Sequence, residues 1–403
     1  MNSALGQITD RVRAAAASGT PLRIRGGGSK DFYGQSLQGE LLDTTVLTGI
    51  TSYEPSELVV TARAGTPLQE LEAALTEQGQ CLPFEPPHFA FQRDDSRYVG
   101  NATRRSVTAG ATGEASGQAT VGGMVAAGLS GPARASVGGV RDYMLGVQLL
   151  NGRAEHLIFG GQVMKNVAGY DLSRLMAGSM GTLGVITEVS LKVLPVVPAE
   201  ATLVFELDQA EALAQLHRWG GQPLPLNASC WVNNDDAATG MGRLYVRLRG
   251  AIAAVESASK SMALQAAGKR MDNAVAAPDW QACRDLRLPF FTNPPQPDMA
   301  LWRLSVAQTS PVLNLPWPQL VEWHGALRWL WAPLDVAASV REAAALAGGN
   351  ATVFISNYAH PTMATAKFDA FSALNSPLDA IHRRLKAEFD PVGIFGRDRL
   401  FRN

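Results

Sequence analysis

Two glycine-rich stretches hold the residues of this chain that are best suited to binding an anion. The first spans residues 21–30 (PLRIRGGGSK) and predicts a short apolar strand that turns into a glycine loop. Glycine backbone adopts positive φ freely and lets a bulky anion reach the amide N–H groups. Because Ser29 adds a hydroxyl donor and Lys30 adds a positive charge, this chemistry fits a pyrophosphate.

The second stretch runs from Gly113 to Val193. Between Gly100 and Gly184 lie 18 of the chain's 39 glycines, so a second part of the same ligand is expected to rest on bare backbone there. The familiar nucleotide motifs are missing from the sequence: no Gly-x-Gly-x-x-Gly occurs, and the order Gly-Ser-Lys at 28–30 is not that of a Walker loop. Taken alone, the first loop is explained equally well as a tight turn.

Together, the two stretches resemble the FAD-binding domain of the vanillyl-alcohol oxidase/p-cresol methylhydroxylase (PCMH) flavoproteins. In that family an early Arg-Gly-Gly-Gly-Ser-like loop embraces the flavin pyrophosphate, and a later Thr-Val-Gly-Gly segment, here 120–123, lies against the cofactor. The order continues with residues 165–172 (KNVAGYDL) and 181–187 (GTLGVIT), which resemble the glycolate oxidase and D-lactate dehydrogenase branch. The resemblance covers roughly residues 1–198.

The resemblance implies FAD as the cofactor. Relatives that tether the flavin covalently use a His or Cys, whereas the first loop offers Ser29 and Lys30, so non-covalent FAD is expected. Asn166 is explained equally well as a turn residue, and Pro86 lies in a proline-rich turn that borders FAD in relatives. The resemblance assigns cofactor contacts to Arg25, Gly26, Gly27, Gly28, Ser29, Lys30, Pro86, Thr120, Val121, Gly122, Gly123, Gly131, Gly138, Asp142, Asn166, Gly181, Gly184, Val185 and Ile186.

Composition narrows the class of protein. The formal charge of −1 gives no reason to expect nucleic acid or an anionic membrane as a partner. No apolar run reaches the roughly 18 residues of a spanning helix, and the amino-terminal residues do not resemble a signal peptide. The three scattered cysteines have no zinc or iron–sulfur spacing. These features predict a cytoplasmic enzyme or enzyme subunit without a metal site.

Local patterns predict the elements that must position the loops. Residues 66–79 predict a helix with a capping-box start and one leucine face. Residues 147–159 predict a β-hairpin with a type I′ turn at 151–152. Residues 185–193 alternate as a half-buried strand does, and the prolines that follow predict a domain boundary near 198.

The predicted architecture is α+β. A two-subdomain PCMH-type FAD-binding domain spans 1–198, and an α+β cap that binds substrate or forms an interface spans 199–375. Residues 376–403 are a carboxy-terminal segment which, by the resemblance, returns to the FAD domain. The cap holds all eight tryptophans. They are explained as an aromatic lid over a substrate or, more commonly, as core packing or a subunit interface.

No catalytic group stands out. A 2-hydroxy-acid dehydrogenase needs a cation for the substrate carboxylate and a base for the hydroxyl proton. Catalytic relatives carry a histidine cluster in the cap, whereas the six histidines here are isolated. His360 is a weak candidate for the base. Arg303, Arg328 and Arg397 are weak candidates for the cation. A structural or surface role explains His360 better, and a role as an ordinary salt-bridge partner explains each arginine better. Gly396-Arg397-Asp398 replaces the family's Asn-Pro-Gly.

A catalytic fold without the catalytic cluster suggests a subunit. The chain resembles the shorter FAD-binding E subunit of bacterial glycolate oxidases. That resemblance implies oxidation of glycolate, a small 2-hydroxy acid, to glyoxylate within a complex. The partners would be a larger catalytic flavoprotein subunit and an iron–sulfur subunit, placed at the inner face of the membrane through the complex. Two alternatives stay open: a stand-alone FAD-dependent D-2-hydroxyacid (D-lactate) dehydrogenase, and a non-catalytic assembly subunit.

Overall fold

The first half of the chain forms the framework around the glycine loop. The computed structural model describes residues 3–35, 37–89, 117–161, 171–233, 241–356 and 368–400. The strands of this half are β1 (Leu22–Arg25), β2 (Glu40–Asp43), β3 (Ile50–Glu54), β4 (Val59–Arg63), β5 (Gln80–Cys81), β6 (Met144–Leu150), β7 (His156–Gly160), β8 (Val185–Lys192) and β9 (Leu194–Pro195). Its helices are α1 (Ser3–Ser18), α2 (Leu68–Glu77), α3 (Val121–Ala127), α4 (Arg134–Val137) and α5 (Leu172–Leu175).

These strands form three sheets. Strands β3, β4, β8, β6 and β7 lie side by side in that order in an antiparallel sheet. Strand β1 pairs in parallel with β2, and β5 pairs with β9. The glycine loop follows β1 directly, so a parallel two-stranded unit holds its start in place. Strand β8 is the centre of the large sheet and is buried on both faces, so the prediction of a half-buried strand was correct in position and wrong in burial.

Two other local predictions need correction. The helix predicted over 66–79 exists and buries its leucines, but Thr66 bonds Gly49 through its hydroxyl, and Pro67 stands at the cap without a side-chain bond. The predicted capping box was therefore wrong. The hairpin of β6 and β7 also exists, but Leu150 pairs with His156, so five residues form the loop. Only Ala154 among these five residues has positive φ, so the predicted type I′ turn was wrong.

The second half of the chain builds the cap. Its strands are β10 (Ala199–Asp208), β11 (Leu226–Asn233), β12 (Met241–Gly250), β13 (Lys269–Met271), β14 (Ala300–Ser305), β15 (Gln319–Glu322), β16 (Leu327–Ala332) and β17 (Asn350–Ile355). Its helices are α6 (Gln209–Gly220), α7 (Ile252–Gln265), α8 (Asn273–Arg284), α9 (Pro289–Thr292) and α10 (Ala337–Leu346). The strands make one antiparallel sheet in the order β13, β10, β12, β11, β15, β16, β14, β17.

The two faces of the cap sheet have different neighbours. Helices α6, α7 and α10 pack on one face, where Trp219 and Trp302 are fully buried. The opposite face packs on α8 and on the first half of the chain, with Trp329 beside Phe89 and Leu129 in one apolar cluster. All tryptophans except Trp317 are buried. Most of them are therefore core residues, as the packing interpretation predicts.

A buried ion cluster joins the two halves. Arg247 of β12 donates to both carboxylate oxygens of Glu85 at 2.7 Å, and Arg249 donates to one of them at 2.7 Å. Burial by itself raises the pKa of Glu85, but the two guanidinium groups hold it below its usual value. Arg249 also pairs with Glu200. These charges fix the cap on the segment that leads to the proline-rich turn.

The carboxy-terminal segment lies against β1. Helix α11 (Ser376–Phe389) ends at Asp390, whose buried carboxylate accepts the backbone N–H groups of Ile394 and Phe395 at 3.0 and 2.7 Å. The Leu22 N–H donates to the Ile394 carbonyl at 2.7 Å. The residues after α11 therefore pack beside the strand that carries the glycine loop. The domain boundaries at 198 and 375 stay a proposal.

Candidate functional site

The glycine loop, residues 26–30, opens onto a cleft that we call the glycine cleft. Its walls come from β1 with the loop, from α3, from the turn before β8 and from the end of the chain. Among the described residues it is lined by Arg23, Ile24, Arg25, Gly26, Gly27, Gly28, Ser29, Lys30, Asp31, Tyr33, Leu37, Gln38, Thr44, Ala64, Thr120, Gly122, Gly123, Ala126, Ala127, Met180, Gly181, Gly184, Ile186, Gly396, Arg397 and Arg399. Backbone and arginine side chains form much of this surface.

Close contact between two backbone segments explains the glycines of the loop. A Cβ on Gly26 would lie 2.4 Å from Thr120 Oγ1, and one on Gly27 would lie 1.7 Å from the Gln118 carbonyl oxygen. Gly28 adopts φ of +77°, which side chains disfavour. The loop is therefore a cradle that any side chain would fill or distort.

The charge of the cleft is positive. Arg23, Arg25, Lys30, Arg397 and Arg399 all line it. The only carboxylate among the described lining residues is Asp31, which pairs with Arg25 at 2.8 Å. The Arg23 Nε atom is buried without a hydrogen-bond partner in the described part of the chain. A buried donor without an acceptor is costly, so this site is built for an anion.

Lys30 supplies the positive charge of the glycine loop. Burial lowers the pKa of its ammonium to about 8, and Asp285 of the cap partly opposes that shift. Its Nζ lies 3.2 Å from Ser29 Oγ and 5.7 Å from the centre of the Phe89 ring. Lys30 therefore lies between the glycine cleft and the cap, where an anionic ligand would favour its charged form.

The structure brings most of the predicted cofactor residues together. Those that line the glycine cleft are Arg25, Gly26, Gly27, Gly28, Ser29, Lys30, Thr120, Gly122, Gly123, Gly181, Gly184 and Ile186. The others that are described lie outside its lining: Pro86, Val121, Gly131, Gly138, Asp142 and Val185. Asn166 lies outside the described residues. That the lining residues touch FAD stays a prediction.

Four of those outside the lining, Val121, Gly138, Asp142 and Val185, have structural roles. Val121 and Val185 are fully buried in apolar cores. Asp142 accepts the Gly139 N–H at 2.8 Å, next to Gly138 with φ of +93°. These residues therefore stabilise the elements around the cleft and do not form its wall.

Sequence reasoning missed Arg23 and Arg399. Arg23 alternates with apolar neighbours in β1, and an arginine between Leu22 and Ile24, just before the glycine loop, is a signal that could have been read. Arg399 reaches the cleft only because the end of the chain folds back, where its Nη1 donates to the Gln35 carbonyl. No local pattern predicts that contact.

A second, smaller cavity lies where the cap meets the first half of the chain, and we call it the cap cavity. The first half contributes Pro87, Phe89 and the turn 129–132, and the cap contributes residues of α8, β14, β16 and β17 and the turn after β15. Its polar lining includes Arg303 and Glu322. The cavity adjoins the glycine cleft, because Phe89 lines the cavity and also contacts Lys30.

Arg303 and Arg328, the predicted carboxylate binders, lie in different places. Arg303 lines the cap cavity and stacks on Trp323, with its guanidinium 5.1 Å from the ring centre. Arg328 is fully buried away from the cavity lining, where it donates to the Gly325 and Ser310 carbonyls at 2.9 and 3.1 Å. These two bonds are structural, while the buried Arg328 Nη1 has no partner among the described residues, so a carboxylate-binding role for Arg328 stays a prediction. His360 lies outside the described residues.

Glu322 of β15 was not predicted as a site residue. Its carboxylate accepts a hydrogen bond from Trp329 Nε1 at 2.8 Å and one from Cys283 Sγ at 3.4 Å. Burial raises the pKa of Glu322 to about 7, although these bonds and nearby Arg303 act in the opposite direction. A carboxyl group in this range exchanges a proton near neutral pH.

Comparisons with known proteins agree with this geometry. A family model described as an FAD binding domain matches residues 4–92. The glycolate oxidase subunit GlcE of Escherichia coli is 40% identical over 394 residues, which are 98% of this chain and 96% of that protein. The chain belongs to the GlcE family of glycolate oxidase subunits. The match spans the cap as well as the glycine loop, so both halves belong to the family.

More distant relatives share part of the sequence or the fold alone. GlcD of Bacillus subtilis is 36% identical over 96 residues, which are 24% of this chain and 20% of that protein. The solved structure of alkyldihydroxyacetonephosphate synthase superposes with a TM-score of 0.62 at 15% identity, covering 96% of this chain and 74% of that one. The predicted PCMH-type FAD-binding fold, the FAD cofactor and the membership of a flavin-dependent oxidoreductase family are therefore confirmed.

Proposed function

We propose that this chain is the FAD-binding subunit of a glycolate oxidase, a complex that oxidises glycolate to glyoxylate. The observation that carries the proposal is the end-to-end match to GlcE, 40% identical over 98% of the chain. The glycine cradle and the unpartnered Arg23 Nε support it, because both suit the pyrophosphate of a dinucleotide.

The residues of the glycine cleft fit non-covalent FAD. The loop amides, Ser29 and Arg23 would hold the pyrophosphate. Neither His nor Cys occurs among the described residues that line the cleft, and those are the side chains that tether flavins covalently in relatives. Bound FAD supplies hydride and electron transfer, while the protein sets its orientation and the charge around it. Lys30 adds positive charge on the cap side of the cleft.

Partner subunits complete the proposal. We expect a larger catalytic flavoprotein subunit, since the GlcE and GlcD relatives are both named as subunits of glycolate oxidase. The family resemblance adds an iron–sulfur subunit to this expectation. Among the residues that the structure describes, no helix is long and apolar enough to cross a membrane. The proposal places the chain in the cytoplasm, at the inner face of the membrane through the complex.

The test is visible absorbance of the purified chain followed by anaerobic addition of glycolate. The titration is run on the chain alone and on the chain co-purified with its co-expressed partners. Flavin absorbance that bleaches only in the complex supports the proposal. Bleaching of the isolated chain by glycolate or D-lactate would make it a stand-alone dehydrogenase, and a colourless protein that still assembles would make it an assembly subunit.

A further inference from the structure

Residues near the end of the chain form one wall of the glycine cleft. Gly396, Arg397 and Arg399 line the cleft together with β1, the glycine loop, α3 and the turn before β8. We call residues 394–399 the clasp segment. A ligand that fills the cleft would therefore contact this distant part of the sequence as well as the glycines.

The clasp segment occupies the edge of β1 that β2 leaves open. The Leu22 N–H donates to the Ile394 carbonyl at 2.7 Å, and Leu22 forms a parallel bridge with Phe395. Ile394 and Phe395 are fully buried in one apolar cluster with Leu22. Because β2 pairs with the other edge of β1, the strand that leads into the glycine loop is held from both sides.

A single ammonium group joins the clasp segment to the second glycine-rich wall. Lys386 of α11 donates to the Phe395 carbonyl at 2.6 Å and to the Thr182 carbonyl, in the turn before β8, at 2.8 Å. Lys386 also pairs with the buried carboxylate of Asp390. Gly396 packs against the same turn with φ of +50°, where a Cβ would lie 3.1 Å from Thr182 Cγ2. The glycine therefore lets the two walls approach closely.

Arg399 links the clasp segment to the residues that follow the glycine loop. Its Nη1 donates to the Gln35 carbonyl, and the Gln35 N–H donates to the Arg399 carbonyl at 3.2 Å. Its Nη2 lies 3.5 Å from the Asp31 carbonyl oxygen. Arg399 is buried, with 7% of its surface exposed. One planar guanidinium therefore spans two carbonyls, a geometry that the fork of arginine allows.

The clasp segment also adds positive charge to the cleft. Arg397 donates to the Gly393 carbonyl at 2.9 Å and to the Gly19 carbonyl at 3.2 Å, which holds it beside the end of α1. Arg397 and Arg399 line the cleft with Arg23, whose Nε atom has no partner among the described residues. A wall that carries guanidinium groups suits the pyrophosphate of FAD.

We propose that the clasp segment retains non-covalent FAD in the glycine cleft, and that Arg399 is the positioning residue that keeps it closed. The described lining holds no His or Cys that could tether a flavin, so retention depends on the walls. The clasp segment is bonded to β1, to the turn before β8 and to the residues after the loop, and FAD leaves when these bonds open. The inference rests on FAD binding by the proposed function and is independent of the substrate.

Loosening the clasp segment should act mainly on FAD release, because affinity differences among related complexes arise mostly in the dissociation rate. Arg399→Gln removes the charged fork that spans Gln35 and Asp31. The FAD dissociation rate should rise about tenfold or more, which corresponds to about 1.4 kcal/mol. Arg399→Lys keeps the charge but not the fork, so FAD should still leave faster than from the unmodified chain.

The experiment follows FAD release from the full chain as purified. The loaded protein is diluted into buffer without FAD, flavin fluorescence reports the release, and titration of the flavin-free protein gives the affinity. The matched control is Arg383→Gln, because Arg383 pairs with Asp379 on the exposed side of α11, outside the cleft lining. This control should release FAD at the rate of the unmodified chain.

Three results would overturn the proposal. The first is an equal rate of FAD release from Arg399→Gln and Arg383→Gln. The second is slow release fully restored in Arg399→Lys, which would mean that charge alone matters. The third comes from urea unfolding of the flavin-free proteins: a loss of stability in Arg399→Gln as large as its loss of FAD binding would make the role of Arg399 purely structural.

A measurement on the unmodified chain keeps the proposal testable if Arg399→Gln does not fold. Trypsin cleaves after arginine, so mass spectrometry can follow cuts after Arg397 and Arg399 with and without FAD. With FAD at about ten times its Kd these cuts should slow about tenfold, since a ligand that binds only the closed form lowers opening by 1 + [L]/Kd. The cut after Arg270, exposed in the cap, is the control. Equal cutting of the clasp segment with and without FAD would overturn the proposal.

Flavin content and glycolate bleaching of the complex are recorded on the same samples. A complex that oxidises glycolate while all variants release FAD equally overturns this inference and leaves the proposed function intact. Fast release from Arg399→Gln in a complex that does not oxidise glycolate supports the clasp segment and contradicts the proposed function. An unmodified chain that does not bind FAD overturns both.

Discussion

Replacing Gly27 by alanine tests whether close backbone packing shapes the cofactor site. The new Cβ would lie 1.7 Å from the Gln118 carbonyl oxygen and 2.8 Å from its carbonyl carbon. Both are backbone atoms, so no side-chain rotation relieves the overlap, and the glycine loop must separate from the segment around Gln118 by more than an ångström. Overpacking of this kind costs about 1–3 kcal/mol. If that cost falls on the bound conformation, FAD affinity should drop roughly ten- to hundredfold.

The assay is flavin absorbance per protein after gel filtration, followed by titration of the flavin-free protein with FAD. Urea unfolding of the same samples gives the loss of stability. Gly6→Ala is the matched control, because a Cβ at Gly6 in α1 meets nothing within 4 Å and alanine favours a helix by about 0.5–1 kcal/mol. If Gly27→Ala kept the flavin content and the stability of the Gly6→Ala variant, the packing argument would be refuted.

Two further changes test the contacts between the halves. Glu85→Gln removes the carboxylate that Arg247 and Arg249 share, so the free energy of unfolding measured in urea should fall by about 3–5 kcal/mol. The exposed control Glu57→Gln should change it little. Equal stability of the two variants would contradict the ion-cluster argument. Burial lowers the pKa of His324 to about 4 from its usual 6.5, so the unfolded chain binds a proton below pH 6.5 that the folded chain does not. Stability should therefore fall as pH drops from 6.5 toward 4, by up to about 1.4 kcal/mol per pH unit. His324→Gln should flatten that slope in urea unfolding at pH 7, 6 and 5, and an unchanged slope would assign it to other groups.

Local chemistry made much of the cofactor half readable from the sequence. Three successive glycines after an apolar strand require a backbone path that few other residues allow, and the structure places 26–28 in the wall of the cleft. The leucine face of α2 was also readable, because a helix that covers a core repeats its apolar residues every three to four positions. Each signal depends on residues that lie within a few positions of one another in the sequence.

Turn and cap details were less predictable. Thr66 has the residue type of a helix cap, but its hydroxyl bonds Gly49 in the turn before β3. The pair Asn151-Gly152 has the sequence of a two-residue turn, yet Asn151 bonds Glu155, and the loop takes five residues. In the first case a tertiary contact competes with the local motif for the same polar group, and in the second case another local contact does.

The sequence by itself determined the fold class, the glycine loop and the family, because these depend on residue types in fixed local order. Only the tertiary structure decided which charges meet. Arg399 reaches the glycine cleft from the far end of the chain, and Arg303 and Glu322 share a cavity because β14 and β15 both pair with β16. The register of an eight-stranded sheet and the docking of the cap set these contacts. Neither leaves a periodic signal in the sequence, since the partners are far apart along the chain.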